Sequence, residues 1–243
     1  MKTTKNYLLL VVMFLMMVSG LQACMLDTQA IHGDKNVVDR AYAVDEFNRI
    51  SVSGMFKIYL IEGEENHLYL ETDENLHEYV TAEVRNNTLY LGLAKGNNYR
   101  PSRMDAYITL SALESMDLSG ATSLEADHTI AGEMLAMHLS GASNIELDVD
   151  VVEMVTHVSG AGSVNLSGAA REHEIRLSGA ASLKCRELIT EKTLIRLSGA
   201  GSAHVYASQL LEARLSGVGS IRYGGNPQNT SFEKSGLGSI KPF

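Results

Sequence analysis

The segment Ile195–Tyr206, IRLSGAGSAHVY, contains two short runs of alternating apolar and polar residues joined by a cluster of small residues. Alternation with a period of two is typical of a β-strand that has one buried and one exposed face. Glycine adopts positive φ angles without steric cost, so the central Ser–Gly pair indicates a tight corner. The segment therefore predicts a strand, a corner and a second strand.

The same phrase recurs along the second half of the chain at intervals of 18 to 21 residues. Its serines, each followed by glycine, are Ser119, Ser140, Ser159, Ser178, Ser198, Ser216 and Ser235. The fifth residue after each serine is apolar. The residue immediately before each serine is leucine or valine in every copy except the last. A single copy cannot bury these apolar residues, whereas stacked copies pair equivalent strands about 4.8 Å apart and bury them.

The repeat therefore predicts an all-β protein, namely a parallel β-solenoid that resembles a right-handed β-helix. It would have about seven regular rungs of about 19 residues over residues 111–243, preceded by irregular β coils. Residues 37–110 form these coils and a cap, because their strand patterns are less regular and Ser53–Gly54 is a degenerate corner. Together, residues 37–243 are expected to be one continuous domain.

The N-terminus has the pattern of a secretory signal. Basic residues are followed by a twelve-residue apolar run, which is too short to span a bilayer as a helix. The ending Leu21-Gln22-Ala23-Cys24 resembles a bacterial lipobox, which predicts a lipoprotein signal peptide over residues 1–23 and a lipid on Cys24. Residues 24–36 would be a tether, and the alternative is an ordinary signal that is cleaved nearby.

Charge and cysteine content exclude two classes of protein. The net charge is −9, and removal of residues 1–23 takes away two lysines and no acid, which leaves −11. Nucleic-acid binding needs a basic footprint, so we expect no such partner. Cleavage before Cys24 leaves Cys185 as the only other cysteine, which excludes a disulfide framework. Cys185 lies in an apolar position of the repeat and is predicted to be a core residue.

Several segments resemble one bacterial family in order and spacing. They include FNRISVSGMFKIYLIEG (residues 47–63), the LSGAGS phrases, GSIRYGGNPQ (residues 219–228) and the closing KSGLGSI (residues 234–240). The chain from Phe47 to Ile240 resembles the family described as "putative auto-transporter adhesin, head GIN domain". This resemblance implies a β-helix-like fold and an envelope protein, and it brings no catalytic residues and no established ligand.

The candidate ligand-binding residues occupy the exposed position two before each serine. They are His138, His157, Arg176, Arg196 and Arg214. Stacking would place them in one file about 5 Å apart, where they could grip the carboxylates or sulfates of an acidic glycan. The alternative is partial neutralisation by acids across the corner, such as Glu125 and Glu146. The two histidines alone make a weak metal site, so neither a metal nor a cofactor is predicted.

No catalytic motif or phosphate-binding loop is present, and the serines are repeated corner residues rather than one nucleophile beside a base. The sequence therefore predicts a non-enzymatic, lipid-anchored, extracytoplasmic β-solenoid that presents a surface for adhesion or for a glycan or envelope partner. The expected location is the outer membrane, facing either the periplasm or the cell surface. A structural envelope spacer and a polysaccharide-active β-helix enzyme are the alternatives.

Overall fold

The computed structural model of the protein describes residues 30–243, so the predicted signal peptide and Cys24 lie outside the described residues. Within this range the chain forms sixteen strands and one 3₁₀ helix, Glu74–Tyr79, which confirms the predicted all-β class. The strands are β1 (Ile31–His32), β2 (Val37–Tyr42), β3 (Arg49–Glu62), β4 (His67–Asp73), β5 (Val80–Arg85), β6 (Thr88–Leu93), β7 (Tyr99–Arg100), β8 (Met104–Leu110), β9 (Ser115–Ala126), β10 (Ile130–Val158), β11 (Ala161–Gly199), β12 (Ser202–Tyr206), β13 (Leu210–Gly217), β14 (Ser220–Gly224), β15 (Asn229–Gly236) and β16 (Ser239–Pro242). Among these residues, no helix has the length and apolar character needed to cross a membrane.

The described residues belong to two compact units. In the first, β1 and β7 pair in parallel. The second unit, Gly33–Ala94 with Pro101–Phe243, contains the other fourteen strands in one mostly parallel sheet. Its antiparallel pairs are β2 with β4, β4 with β8, and β5 with β6. All of these strands precede the regular repeat, so the irregular part of the sequence is also the part with mixed strand pairing.

Equivalent residues of successive copies are strand partners. Ser119 pairs with Ser140 in the β9–β10 ladder, and Ser216 lies between Ser198 and Ser235 in the β11–β13–β15 ladders. The degenerate corner also joins the column, because Ser53 pairs in register with Ser119. The residues that the sequence repeat aligns are therefore the residues that pair between neighbouring strands.

Some corners lie inside continuous strands, whereas Ser159–Gly160 separates β10 from β11 and the last three corners end β11, β13 and β15. β10 runs through 29 residues and β11 through 39 residues, and both include Ser–Gly pairs. Gly141 has a φ of +112°, and the backbone oxygen of Gly120 lies so close that a Cβ atom at Gly141 would be 2.3 Å from it. At Gly141 the chain thus adopts a conformation that favours glycine while the strand pairing continues on both sides of it.

The core is formed by the two apolar positions of the repeat. The residues before the corner serines are Leu118, Leu139, Val158, Leu177, Leu197 and Leu215, all buried. The fifth residues after them are Leu124, Ile145, Val164, Leu183, Ala203 and Ile221, also buried. Cys185 is buried as a free thiol, and burial raises its pKa, so the prediction of a core cysteine is confirmed.

Candidate ligand-binding groove

The predicted site residues lie in one file, which we name the basic row: His138, His157, Arg176, Arg196 and Arg214. The strand register places His157 beside Arg176, and Arg196 beside Arg214. The centroids of the His138 and His157 imidazole rings are 5.0 Å apart, and the rings are arranged edge to face. His157 is half-buried and the other four side chains are exposed. The structure therefore brings all five residues together on one surface.

A groove of about 590 Å³ follows the three arginines of the basic row. Its walls come from the three positions around the corner in four successive copies. Besides the arginines they are Leu177, Ser178, Leu197, Ser198, Leu215, Ser216, Glu233, Lys234 and Ser235. A smaller hollow of about 200 Å³ is formed by the same positions around His138 and His157. The two hollows share one pattern, with a charged residue, a leucine or valine and a hydroxyl in most copies.

Acidic residues neutralise only part of the basic row. The carboxylate of Glu174, two residues before Arg176 on the same strand, forms an ion pair with the Arg176 guanidinium at 2.7 Å. Glu233 lies 3.3 Å from the Arg214 guanidinium and ends the file. Within residues 30–243, Arg196 forms no ion pair, so the middle of the groove carries an uncompensated charge. An anionic group would find its strongest attraction there.

The expected neutralisation across the corner is wrong in its details. Glu125 pairs with Lys57 at 3.3 Å instead, and Glu146 pairs with no base in the described part of the chain. The acid that does reach a histidine is Asp117, which lies 3.2 Å from Nδ1 of His138 in the same file. Residues on opposite sides of a corner diverge, whereas neighbours along a ladder remain about 5 Å apart.

His157 has an unsatisfied polar atom within this surface. Its Nε2 atom is buried and has no hydrogen-bond partner. Burial lowers the pKa of His157, and the nearby His138 and Arg176 lower it further. The ring is therefore mostly neutral near pH 7, and an anionic ligand that hydrogen-bonds to it would favour its protonated form. The repeat pattern revealed the position of His157 but gave no signal of this buried nitrogen.

The corner serines contribute hydroxyls to the groove. Ser119 and Ser198 donate only long hydrogen bonds, of 3.4 and 3.5 Å, to the carbonyl oxygens of Val52 and Leu177. The hydroxyls of Ser140, Ser178 and Ser216 lie on exposed residues. A hydroxyl can both donate and accept, so this row of serines can hydrogen-bond to sugar hydroxyls or to anionic oxygens.

Sequence reasoning missed a row of tyrosines on the N-terminal strands. Tyr107 pairs with Tyr59 on one side and with the exposed Tyr69 on the other. The rings of Tyr59 and Tyr107 stack with centroids 4.8 Å apart, and the ammonium of Lys57 lies 4.5 Å from the Tyr59 ring centroid. Extending the repeat alignment back to Ser53 would have placed Tyr59 in the same position as Glu125.

The arrangement offers positive charge and hydrogen-bonding groups. No cluster of three His, Cys, Asp or Glu side chains that could hold a metal occurs within residues 30–243. Cys185, the thiol in this range, is buried with a raised pKa. The groove offers guanidinium groups and serine hydroxyls, which can form ion pairs and hydrogen bonds with an anionic group.

Comparisons with known proteins agree on the fold. A crystal structure of a "putative adhesin" from Bacteroides fragilis NCTC 9343 has a TM-score of 0.85 and 25% identity, covering 88% of this chain and 100% of that chain. A "putative lipid binding protein" from Parabacteroides distasonis ATCC 8503 has a TM-score of 0.74 and 21% identity, with the same coverage. A "putative adhesin" from Parabacteroides merdae ATCC 43184 has a TM-score of 0.66 and 19% identity, covering 88% and 99%.

No protein of curated function matches the chain. The family model described as "Putative auto-transporter adhesin, head GIN domain" matches residues 46–227, which is most of the chain. This match includes β3 to β14 and all five residues of the basic row. The chain therefore belongs to the auto-transporter adhesin, head GIN domain family.

Proposed function

We propose that this protein is a non-enzymatic, extracytoplasmic binding module with an adhesin-like role, whose basic row binds acidic glycans. The observation that carries the proposal is the groove of about 590 Å³ in which Arg176, Arg196 and Arg214 stand side by side. Like charges on neighbouring strands repel one another, so the row lowers the stability of the unbound protein. A bound anionic ligand would offset this loss. The family and the Bacteroides fragilis structure are both described as putative adhesins, which supports a binding role over a catalytic one.

The proposed architecture is a right-handed parallel β-solenoid with about seven regular rungs. Its support is the in-register pairing of equivalent residues from Ser119 to Ser235 and the general preference for right-handed connections between parallel strands. Such a stack presents one side chain from each rung at a spacing of about 4.8 Å. An extended polyanion can contact several rungs in succession, which suits a linear glycan better than a compact small molecule.

The chemistry of the groove favours sulfated or uronic sugars over other anions. A guanidinium forms two parallel hydrogen bonds with a carboxylate or a sulfate-like group, and the adjacent serine hydroxyls can contact sugar hydroxyls. Nucleic acid is disfavoured, because the chain as a whole has a net charge of −9. The ligand class is therefore an anionic polysaccharide held by a local positive groove on an acidic protein.

Replacing Arg176, Arg196 and Arg214 with glutamine is expected to weaken binding to a sulfated or uronic glycan by roughly 30-fold, because three charge-assisted contacts are lost. Affinity is measured by calorimetry on hits from a glycan array. The matched control is R40Q/R85Q/R171Q, which removes the same charge from exposed positions outside the groove. Equal affinity of the groove variant and the control would eliminate the proposal.

Binding to a sulfated glycan is expected to strengthen about 5-fold as the pH falls from 7.5 to 5.5. The ligand keeps its charge over this range, whereas burial lowers the pKa of His157, so the protonated fraction of the ring is small near neutral pH and rises as the pH falls. The protonated ring adds one positive charge to the basic row and so strengthens its attraction for the anionic ligand. Replacement of His138 and His157 by glutamine should flatten this pH profile, and a profile that does not change would contradict the role of His157.

We place the protein at the outer membrane, held by a lipid on Cys24, facing the periplasm or the cell surface. The lipobox-like sequence ending at Cys24 supports this anchor. Metabolic labelling with a fatty acid tests it, because C24S should lose the label. Protease treatment of intact cells then distinguishes surface exposure from a periplasmic location. A glycan array without hits would favour the structural envelope spacer, and products released from uronic polysaccharides would favour the enzyme.

A further inference from the structure

A face with divided charge lies across the Ser–Gly corner from the basic row. It consists of the sixth and eighth residues after each corner serine, and we name it the divided face. Its acidic half contains Glu125, Asp127, Glu146 and Asp148, and its basic half contains Lys184, Arg186, His204, Arg222 and Lys241. His204 is half-buried and the other members are exposed. Charge along this face thus changes sign once.

The strand register fixes the order of these residues. Glu125 pairs with Glu146, and Glu146 pairs with Asn165. Beyond this neutral rung, Lys184 pairs with His204, and the ladder continues to Arg222 and Lys241. From Glu125 to Lys241 the row crosses seven strand segments, or roughly 29 Å at the usual strand spacing.

The basic half has no neutralising partner of its own. Lys184, Arg186, Arg222 and Lys241 form no ion pair with any residue of 30–243. Burial lowers the pKa of His204, and the surrounding Arg186, Arg222 and Lys184 lower it further. The four positively charged side chains lie within four successive rungs and repel one another, and an acidic surface over them would relieve this repulsion.

The acidic half keeps exposed charge at matching positions. Glu146 makes no ion pair within the described residues. Asp148 accepts hydrogen bonds from Thr129 at 2.7 Å and Ser167 at 2.8 Å, which fix its carboxylate in place without cancelling its charge. The divided face is therefore complementary to itself when one copy is rotated by half a turn.

We propose that the divided face pairs with the same face of a second copy of this chain, around a two-fold axis at Leu166. This residue lies between Asn165 and Ser167 on the neutral rung. With this axis in the plane of the interface and along the strand, the rotation places Glu146 opposite Lys184 of the second copy and Asp148 opposite Arg186 of the second copy. Each contact occurs twice, as a two-fold interface requires. Glu125 then faces His204 of the second copy, and Asn165 faces Asn165 of the second copy.

A second copy fits this surface better than a membrane or a polyanion does. Anionic headgroups would attract the basic half but repel Glu146 and Asp148, which lie two rungs from it on the same face. A second copy places acids opposite Lys184 and Arg186 and bases opposite Glu146 and Asp148 at the same time. Electrostatic complementarity of this kind determines which partner binds and in which orientation.

The first test is the oligomeric state as a function of salt. Analytical ultracentrifugation of the purified protein is expected to show a dimer at 50 mM NaCl and mainly monomer at 1 M NaCl, because exposed ion pairs are screened. A monomer at every salt and protein concentration would overturn the proposal. A dimer that tightens with salt would also overturn it, since that behaviour indicates an apolar interface elsewhere.

The second test exchanges the charges. The variants K184E/R186E and E146K/D148K should each weaken dimerisation by at least roughly 100-fold, because each places like charges opposite one another. An equimolar mixture of the two variants should form a heterodimer, since every contact then joins opposite charges again. Circular dichroism establishes that both variants are folded, and recovery in the mixture is itself evidence of folding.

The matched control is R40E/R171E, which changes the net charge as much as K184E/R186E does but at exposed positions outside the divided face. It should dimerise like the unaltered protein. Dimerisation that survives both charge reversals overturns the proposal, and so does a mixture that stays monomeric. Binding of phosphatidylglycerol vesicles that requires Lys184 and Arg186, in a protein that stays monomeric, identifies a membrane as the occupant and rejects the second copy.

Discussion

Replacing Gly141 with alanine is expected to lower the free energy of unfolding by about 4 kcal/mol, since it adds backbone strain to a steric clash. Gly141 has a φ of +112°, which residues with a side chain rarely adopt. A Cβ atom there would lie 2.3 Å from the carbonyl oxygen and 2.8 Å from the nitrogen of Gly120. Both atoms belong to the neighbouring backbone, so relief requires the two strands to separate. Urea unfolding monitored by circular dichroism measures the loss.

Substitutions at two other glycines distinguish the contribution of backbone strain from that of the steric clash. Gly54 begins the same column with a φ of +121°, but its Cβ would meet only the side chain of Phe56, at 3.3 Å. Alanine there should cost about 2 kcal/mol, from backbone strain. Gly132 has no atom within 4 Å of its Cβ position and no positive φ, so G132A should change stability by less than about 1 kcal/mol in either direction. Equal losses at all three positions would show that close strand approach is not what the repeat glycines provide.

The strand register was predictable because the repeat encodes it directly. A one-residue slip would turn Leu139 outward and His138 inward, so the alternating pattern specifies both faces. The seven Ser–Gly pairs then act as alignment marks, and the ladder of Ser198, Ser216 and Ser235 follows from their spacing. The antiparallel pairing of β4 with β8 was not predictable, because those segments lack a shared phrase and their pairing depends on long-range contacts.

The candidate site was predictable in position but not in detail. Knowing which residues share a row suffices to place Arg176 beside His157. The ion pair between Arg176 and Glu174 depends on side-chain rotamers, and the burial of the His157 nitrogen depends on local packing. The periodic pattern of the sequence gives no information on either property. The charge division of the second face was visible in the alignment, but its two-fold complementarity emerged only when both outward rows were placed together.

Acidification from pH 7 to pH 4 is expected to remove about 3 kcal/mol of stability through His173 alone. This side chain is 1% exposed, and its Nε2 atom forms a 2.9 Å hydrogen bond with the hydroxyl of the buried Thr156. Burial lowers the pKa of His173 from 6.5 to about 3. The folded state therefore keeps the ring neutral, while the unfolded chain binds a proton below about pH 6.5.

The direction of this effect follows from proton linkage. A group whose pKa is lowered by folding contributes full stability above its unfolded pKa of about 6.5 and loses it as the pH falls towards its folded pKa of about 3. Comparison of unfolding free energies at pH 7 and pH 4 for the unaltered protein and for H173Q measures the contribution. Glutamine cannot titrate in this range but can hydrogen-bond to Thr156.

The other acid-sensitive groups are common to both proteins, so their effects cancel in this comparison. H173Q is expected to be less stable than the unaltered protein at pH 7, because its shape differs in a close-packed core. Its additional loss on acidification should nevertheless be about 3 kcal/mol smaller. The same pH dependence in both proteins would mean that His173 is hydrated or protonated in the folded state, and the buried contact between His173 and Thr156 would then not hold this part of the core together in solution.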